Sequence, residues 1–482
     1  MSALLIIPIL LPLVAGFILP KGNRKARNVF ITISLVFTAI FSIAAAVYCK
    51  GTFTIIELAK GLTLALTADG VSLFFVVICS LAWLLVALFS FEYMTHEENE
   101  LRFHRFYLFS LSSLIGICFS ANLPTLYMFY EAMTLLTVVL VIHSGTTESM
   151  AAGIKYLGFS VFGAALALFG LFVIYRYGGA EGFSPGGMLA GIPGKTAVIA
   201  YFLMMVGFGC KAGMLPLHAW LPTAHPVAPA PASAVLSGVI TKMGILATIR
   251  ISYFVFPMEL IIGTWAQKAL LTLALCTVFM GSMLACKEKL LKKRLAWSTV
   301  SQASYVVFGI VCLSPMSFEG AFLQVFFHSC AKNALFCCAG AIILKTGVTK
   351  VEELGGMGRR MPVVMTCFTI ASLSLVGIPP TGGFISKWNL ALGAFSSNVG
   401  AFAVVGVSVL LISAVLTAWY LLTIVFAAFF PQKDTAEIAV SSAEPKKITL
   451  VPLAVFSSAL IIFGAFSQPL SEFIRGIVGT IF

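Results

Sequence analysis

From Ala3 to Leu470 the chain is a succession of apolar runs, each close to twenty residues or longer, cut by short polar stretches. A helix of about 20 apolar residues spans the roughly 30 Å hydrocarbon core of a bilayer. Seven such runs are read at 3–20, 28–48, 68–91, 103–121, 124–143, 154–177 and 197–221. Seven more follow at 228–254, 260–285, 295–313, 318–344, 362–395, 399–430 and 448–470. The pattern predicts an all-α polytopic membrane protein with about 14 transmembrane helices. One membrane domain fills residues 1–482, because no polar segment is long enough to build a soluble one. The first run, ALLIIPILLPLVAGFIL, has no basic segment ahead of it and is read as a span rather than a cleaved leader.

Composition agrees: the chain is 60% hydrophobic and 10% charged, where a soluble domain is about one-quarter charged. The +12 net charge is unevenly spread. Loops between odd and even spans carry 19 Lys/Arg, and the opposite set carries 7. The excess predicts that the odd-to-even loops face the cytoplasm and both termini face outward. Topology thus accounts for the charge, and no nucleic-acid partner is called for. The eleven cysteines sit mostly inside spans and form no C-x₂-C run. They read as small buried hydrophobes, with no cofactor, metal or redox centre in this chain.

A few residues do not belong in hydrocarbon. Lys211, Lys242, Lys332 and Lys387 fall at membrane depth, at roughly 2.5–3.5 kcal/mol each on insertion scales. Glu131, in LYMFYEAMTLLTVVL, is read as the one acidic side chain deep in a span. A lone carboxylate there must be paired or protonated, and Lys211 is the expected partner. Three histidines are proton-relay candidates: His218, two helical turns from Lys211; His225, in the joint PTAHPVAPAPAS; and His328, one turn before Lys332. His143, at the end of span 5, reads as an interfacial side chain.

Two of these lysines lie beside helix breaks. In GFGCKAGMLPLHAWLP, Pro216 follows Lys211; in SLVGIPPTGGFISKWNLALGAF, Pro379 and Pro380 precede Lys387. Proline removes a backbone donor and crowds the preceding turn. Irregular backbone at membrane depth is tolerated where it lines water or protein. By the loop charges, spans 7 and 12 run in opposite directions. Two broken, lysine-bearing helices so arranged predict inverted five-helix repeats over 103–254 and 260–430, flanked by 1–95 and 448–470.

Together these residues resemble the antiporter-like subunits shared by respiratory complex I, Mrp cation/proton antiporters (D-type) and energy-converting membrane-bound hydrogenases. The resemblance is carried by Glu131, Lys211 with PLHAWLP, APAPASAVLSG before Lys242, KRLAWSTVSQASY, FHSCAKNALF with Lys332, and GIPPTGGFISKW with Lys387. It implies half-channels joined by a polar axis at mid-membrane, in a multi-pass protein of the prokaryotic plasma membrane. It also implies integral membrane partners, among them further antiporter-like subunits, and peripheral iron–sulfur or hydrogenase-type subunits. The ions are protons, with or without Na⁺. The leading reading is an ion-translocating subunit of a redox-driven complex, itself without a redox centre. A non-redox Mrp D-type subunit is the alternative. A stand-alone solute transporter is less favoured, because buried lysines and one acid suit protons better than organic solutes, and a passive anchor for a soluble enzyme leaves the five buried ionisable groups unexplained.

Overall fold

The computed structural model describes residues 2–59, 62–177, 182–189, 191–431 and 444–482. Its helices in chain order are α1 Ile7–Phe17, α2 Arg24–Tyr48, α3 Gly70–Tyr93, α4 Glu100–Cys118, α5 Leu123–Val141, α6 Thr147–Arg176, α7 Gly194–Ala212 and α8 Leu221–Val227. Then come α9 Ala230–Val255, which contains two π turns, α10 Trp265–Lys287, α11 Leu291–Val311 and α12 Pro315–Thr346. The last are α13 Pro362–Val376, α14 Gly382–Phe395, α15 Ala401–Phe429, α16 Lys447–Ala465 and α17 Gln468–Ile481. Among the described residues, ten helices are long and apolar enough to cross a bilayer.

Helix starts follow the local sequence. Asn122 accepts from the Thr125 amide at 3.0 Å at the head of α5, and Ser314 and Ser317 form a reciprocal capping box on α12. Large apolar side chains such as Phe172 on α6 and Trp419 on α15 are exposed, as a lipid-facing surface requires. The centre is different: α9 is wholly buried and α12 almost so. At 32 residues, α12 is about 48 Å long, and it carries both His328 and Lys332 along the middle of the protein.

The structure corrects two sequence expectations and adds features the spans did not show. The chain is not purely helical: β1 Phe53–Ala59 and β2 Leu62–Leu66 form an antiparallel hairpin. It docks on the α4–α5 turn through Ala65 N–H to Thr125 Oγ1 at 2.8 Å and Asn122 Nδ2 to the Thr63 carbonyl at 2.9 Å. The helix of span 7 stops at Ala212, nine residues before the expected end at 221. Beyond span 14 the chain forms α17, a separate helix with Ile474, Ile477 and Ile481 on its buried side. Besides Glu131, two acids near helix ends are taken out of solvent. Glu92 and Glu319 are buried, held by Lys345 at 2.7 Å and Arg475 at 3.0 Å respectively. Lys60 and 432–443, counted among the charged loops, lie outside the described residues.

Candidate functional site: a lysine row between two broken helices

The two breaks share one backbone plan. α7 ends at Ala212 and α13 at Val376, each followed by a glycine in the left-handed region, Gly213 at φ 77° and Gly377 at φ 92°. That conformation suits a residue without Cβ and ends a helix. Three residues after each glycine stands a cis proline, Pro216 or Pro380.

A helix end leaves carbonyls without intrahelical donors, and the breaks satisfy them differently. At the first, the Cys210 carbonyl accepts from the Trp220 indole at 2.8 Å. At the second, the Leu375 and Val376 carbonyls accept from Lys387 Nζ at 2.5 and 3.0 Å. Lys387 follows its break in sequence yet reaches back across it. Its ammonium therefore ends up where Lys211 already sits, at the C-terminal end of the first half-helix, the end whose dipole favours a cation.

Lys211 is fully buried. Its Nζ donates to Tyr156 Oη at 2.7 Å and Ser160 Oγ at 2.8 Å, both from α6. Thr137 of α5 bonds the same tyrosine oxygen at 2.6 Å. Gly244 of α9 lets the helices close on this point, since a Cβ there would lie 2.8 Å from Lys211 Cβ.

Lys242 occupies the turn after a π segment, Leu236–Ile240, the kind of helix irregularity that recurs at functional sites. Its Nζ donates to the Ser237 carbonyl at 2.6 Å and lies 2.9 Å from His328 Nδ1. One turn along α12, Lys332 Nζ donates to Ser298 Oγ at 2.7 Å.

From Lys332 a chain of side chains runs on toward the second break. Tyr420 Oη bonds Ser298 at 2.8 Å and Thr417 at 3.3 Å. Gln302 bonds Thr417 at 3.4 Å, Gln324 bonds Gln302 at 3.0 Å, and Ser386 bonds Gln324 at 2.6 Å. Ser386 is the neighbour of Lys387. Sequence reading missed every one of these uncharged links. The signal was present: KRLAWSTVSQASY is unusually polar for a buried helix.

Among the described residues no carboxylate lies within 4.0 Å of Lys211, Lys242, Lys332 or Lys387. Hydroxyls, carbonyls and one imidazole solvate them instead. Glu131 is half-buried on α5 and makes no ion pair with Lys211, though the two charges interact through space; its Oε1 has no partner.

The histidines divide. His328 lies in the row. His225 is buried against the Phe336 ring, centroids 4.6 Å apart, and neither ring nitrogen has a partner. His218 stands off the row, half-buried near the Trp297 ring at 5.9 Å. Its expected two-turn spacing from Lys211 fails because the helix ends between them. His143 bonds the Glu98 carbonyl at 2.9 Å in the α3–α4 loop. No three His, Cys, Asp or Glu side chains among the described residues are placed to hold a metal ion.

Comparison with known proteins bears on this arrangement. Residues 120–413 match the family described as NADH:quinone oxidoreductase/Mrp antiporter, TM, and 59–107 match the N-terminal segment of NADH-ubiquinone oxidoreductase (complex I) chain 5. The D-type subunit of the Na⁺/H⁺ antiporter of Alkalihalophilus pseudofirmus is 29% identical over 98% of this chain and 96% of that protein. The NADH-quinone oxidoreductase subunit N of Desulforudis audaxviator is 31% identical over 76% of this chain and 74% of its own. Among solved structures, a chain of the membrane-bound sulfane sulfur reductase, an archaeal respiratory membrane complex, superposes with a TM-score of 0.86. That match covers all of this chain and 98% of the other at 21% identity, and so speaks to the fold alone.

Proposed function

The chain belongs to the NADH:quinone oxidoreductase/Mrp antiporter transmembrane family, and from that premise we propose that it carries protons across the membrane as part of a redox-driven complex. Membership makes it an antiporter-like membrane subunit; the ion, the route and the assembly are the proposal. The observation that carries it is the hydrogen-bonded row from Lys332 to Ser386. It runs within the second half, from Lys332 to the residue beside Lys387, and the Lys242–His328 contact at 2.9 Å joins the first half to the same helix; each lysine has hydroxyl or carbonyl partners and no carboxylate within 4.0 Å.

An ammonium solvated in this way can give up its proton without stranding a counter-ion. The neutral amine left behind keeps a lone pair with which to take the next proton. Lysines and His328 are the carriers. The hydroxyls of Ser298, Tyr420, Thr417 and Ser386 are donor–acceptor links between them, and the amides of Gln302 and Gln324 fix the spacing. Glu131, from α5, is the group whose charge biases Lys211. The paired break geometry supports two inverted five-helix repeats, and the basic loops support fourteen crossings with both termini outside a prokaryotic plasma membrane. Partners are further integral membrane subunits, with iron–sulfur or hydrogenase-type subunits as the source of drive.

The test is proton uptake by liposomes holding the assembled complex. Lys332→Ala and Lys387→Ala should each lower it at least tenfold with assembly intact; full uptake by both overturns the reading. A second reading, a non-redox Mrp D-type subunit moving Na⁺ against H⁺, is favoured by the near end-to-end match with a D-type antiporter relative. Neighbouring genes separate the two: redox subunits beside this one favour the first, a bare set of small membrane subunits the second.

A further inference from the structure

We infer that Glu319 is the outer terminus of the lysine row and that Arg475, from the C-terminal helix α17, is its removable counter-ion. The inference rests on the proton-carrying reading given above. The row ends at Ser386, and Ile385 just before it and Asn389 one turn after it form one wall of a cavity of about 150 Å³. Glu319 and Arg475 face the same space.

α12 and α14 pass each other antiparallel. A Cβ on Gly393 would meet the Ser317 amide at 2.2 Å, and one on Gly320 the Leu390 amide at 2.6 Å. One turn beyond the Gln324–Ser386 bond therefore comes the next polar contact, Asn389 Nδ2 to Glu319 Oε1 at 3.2 Å. The other carboxylate oxygen accepts from Arg475 Nε at 3.0 Å.

The two partners of this ion pair differ in kind. The Glu319 side chain is 7% exposed and that of Arg475 64%. The carboxylate is fixed inside the bundle, while its cation hangs from a surface helix in reach of water. A buried carboxylate deprived of its cation is an uncompensated charge, and protonation is the simplest relief.

The transfer balances. With Arg475 withdrawn, the Lys387 ammonium gives one proton to a Glu319 oxygen through water entering the cavity, since Ser386 donates to Gln324 and Gly383 rather than to Glu319, leaving a neutral amine and a neutral acid. With Arg475 returned, the Glu319 O–H gives that proton to water in the outer cavity, and the carboxylate pairs with the guanidinium again. Glu472 is the other acid lining the cavity.

A structural clamp holding α17 in place would use the same two residues, so the test must separate docking from proton transfer. Acidification of inside-out vesicles carrying the assembled complex is measured for Glu319→Gln, for Arg475→Gln, and for the exchange Glu319→Arg with Arg475→Glu. Glu319→Gln keeps the shape and the Asn389 contact, and should lower acidification at least tenfold with assembly intact. Arg475→Gln should lower it similarly. The exchange restores an ion pair but puts no acid beside the row, and should transport no better than Glu319→Gln. Parent-level acidification by Glu319→Gln, or by the exchange variant, overturns the inference. Lys387→Ala is run alongside. If it loses transport while Glu319→Gln keeps it, the outlet fails and the lysine row stands; if both keep it, the row fails too.

Discussion

Lys387 lies eleven residues past Val376 in the chain, yet its Nζ is 3.0 Å from the Val376 carbonyl oxygen. The second break is thus closed by the side chain proposed above as a proton carrier. Replacing that chain tests the two roles separately. Lys387→Met keeps the stem and removes the charge, and should retain at least half the normal assembly while losing transport at least tenfold. Lys387→Glu sets an acceptor-only carboxylate against two carbonyls and should reduce assembly as well. Quantifying assembled complex beside proton uptake checks both. Equal assembly of the two variants shows that Lys387 does not cap the break.

The same break depends on a glycine for space rather than for conformation. A Cβ on Gly383 would lie 1.7 Å from the Ser374 carbonyl oxygen, whereas one on Gly479 meets nothing within 4 Å. Forcing such a contact costs on the order of 1–3 kcal/mol. Gly383→Ala should lower the melting temperature in detergent by several degrees, and Gly479→Ala should leave it unchanged. An unshifted melt for Gly383→Ala would show that the half-helices separate freely.

How much of this was legible in the sequence depends on the kind of residue. A charge in a hydrophobic run is conspicuous, so the four lysines stood out, as did both breaks, because proline and glycine act on the backbone directly. What spacing could not show was partnership. Glu131 and Lys211 were expected to pair, but the lysine spends its donors on Tyr156 and Ser160, residues that look ordinary in a span. His218 was placed by counting helical turns across a break that ends the helix. Glu319 was not singled out because it stands at the very start of the expected span 318–344, and only the fold brings Arg475 from 156 positions away. The hairpin at 53–66 was missed because its short apolar strands carry no helical period and were too short to count as spans.

Outside the membrane, Glu288 supplies a pH test of stability. Its Oε1 accepts from the amides of Lys289 and Leu290 at 3.1 and 3.2 Å where α11 begins, and Lys293 Nζ stands 2.9 Å from the other oxygen. Burial pushes this carboxyl up, but the Lys293 hydrogen bond, the amides and the Lys293 charge together hold it below its ordinary 4.5. A carboxyl lowered in the folded state contributes stability above its unfolded value and loses it as pH falls through the folded one. Glu288→Gln should therefore destabilise the protein at pH 7, and the gap to the parent should close at a pH well below the ordinary 4.5. Melting curves at the two pH values decide it; a constant gap would rule out the charge as the cause.

The orientation read from the loop charges is open to labelling. Ser184 and Asn398 are exposed in even-to-odd loops, and Glu352 is exposed in an odd-to-even loop. Cysteines at the first two should react with a membrane-impermeant thiol reagent on intact cells, and one at Glu352 only after the membrane is opened. Ser441, the corresponding choice in the last cytoplasmic loop, lies outside the described residues. The opposite labelling pattern would invert the topology and remove the argument for inverted repeats.

The last prediction concerns how Glu131 acts on Lys211 without touching it. Thr137, on the same helix as Glu131, bonds the Tyr156 oxygen that accepts from Lys211. We propose that a change of charge at Glu131 acts on the lysine through space, with Thr137 and Tyr156 as a second link from the same helix. With Glu131 ionised, the ammonium of Lys211 is favoured; with it neutral, nothing but burial and dipoles acts on the lysine. A neighbouring subunit that adds or withdraws charge near the half-buried Glu131 can then switch Lys211 between holding and releasing its proton. Glu131→Gln and Lys211→Ala should each nearly abolish proton uptake, and the double variant should be little worse than either. Tyr156→Phe, which removes the shared oxygen but leaves both charges, should reduce uptake severalfold. Normal uptake by Lys211→Ala, or defects of Glu131→Gln and Lys211→Ala that simply multiply, would show that the two residues do not act as one switch.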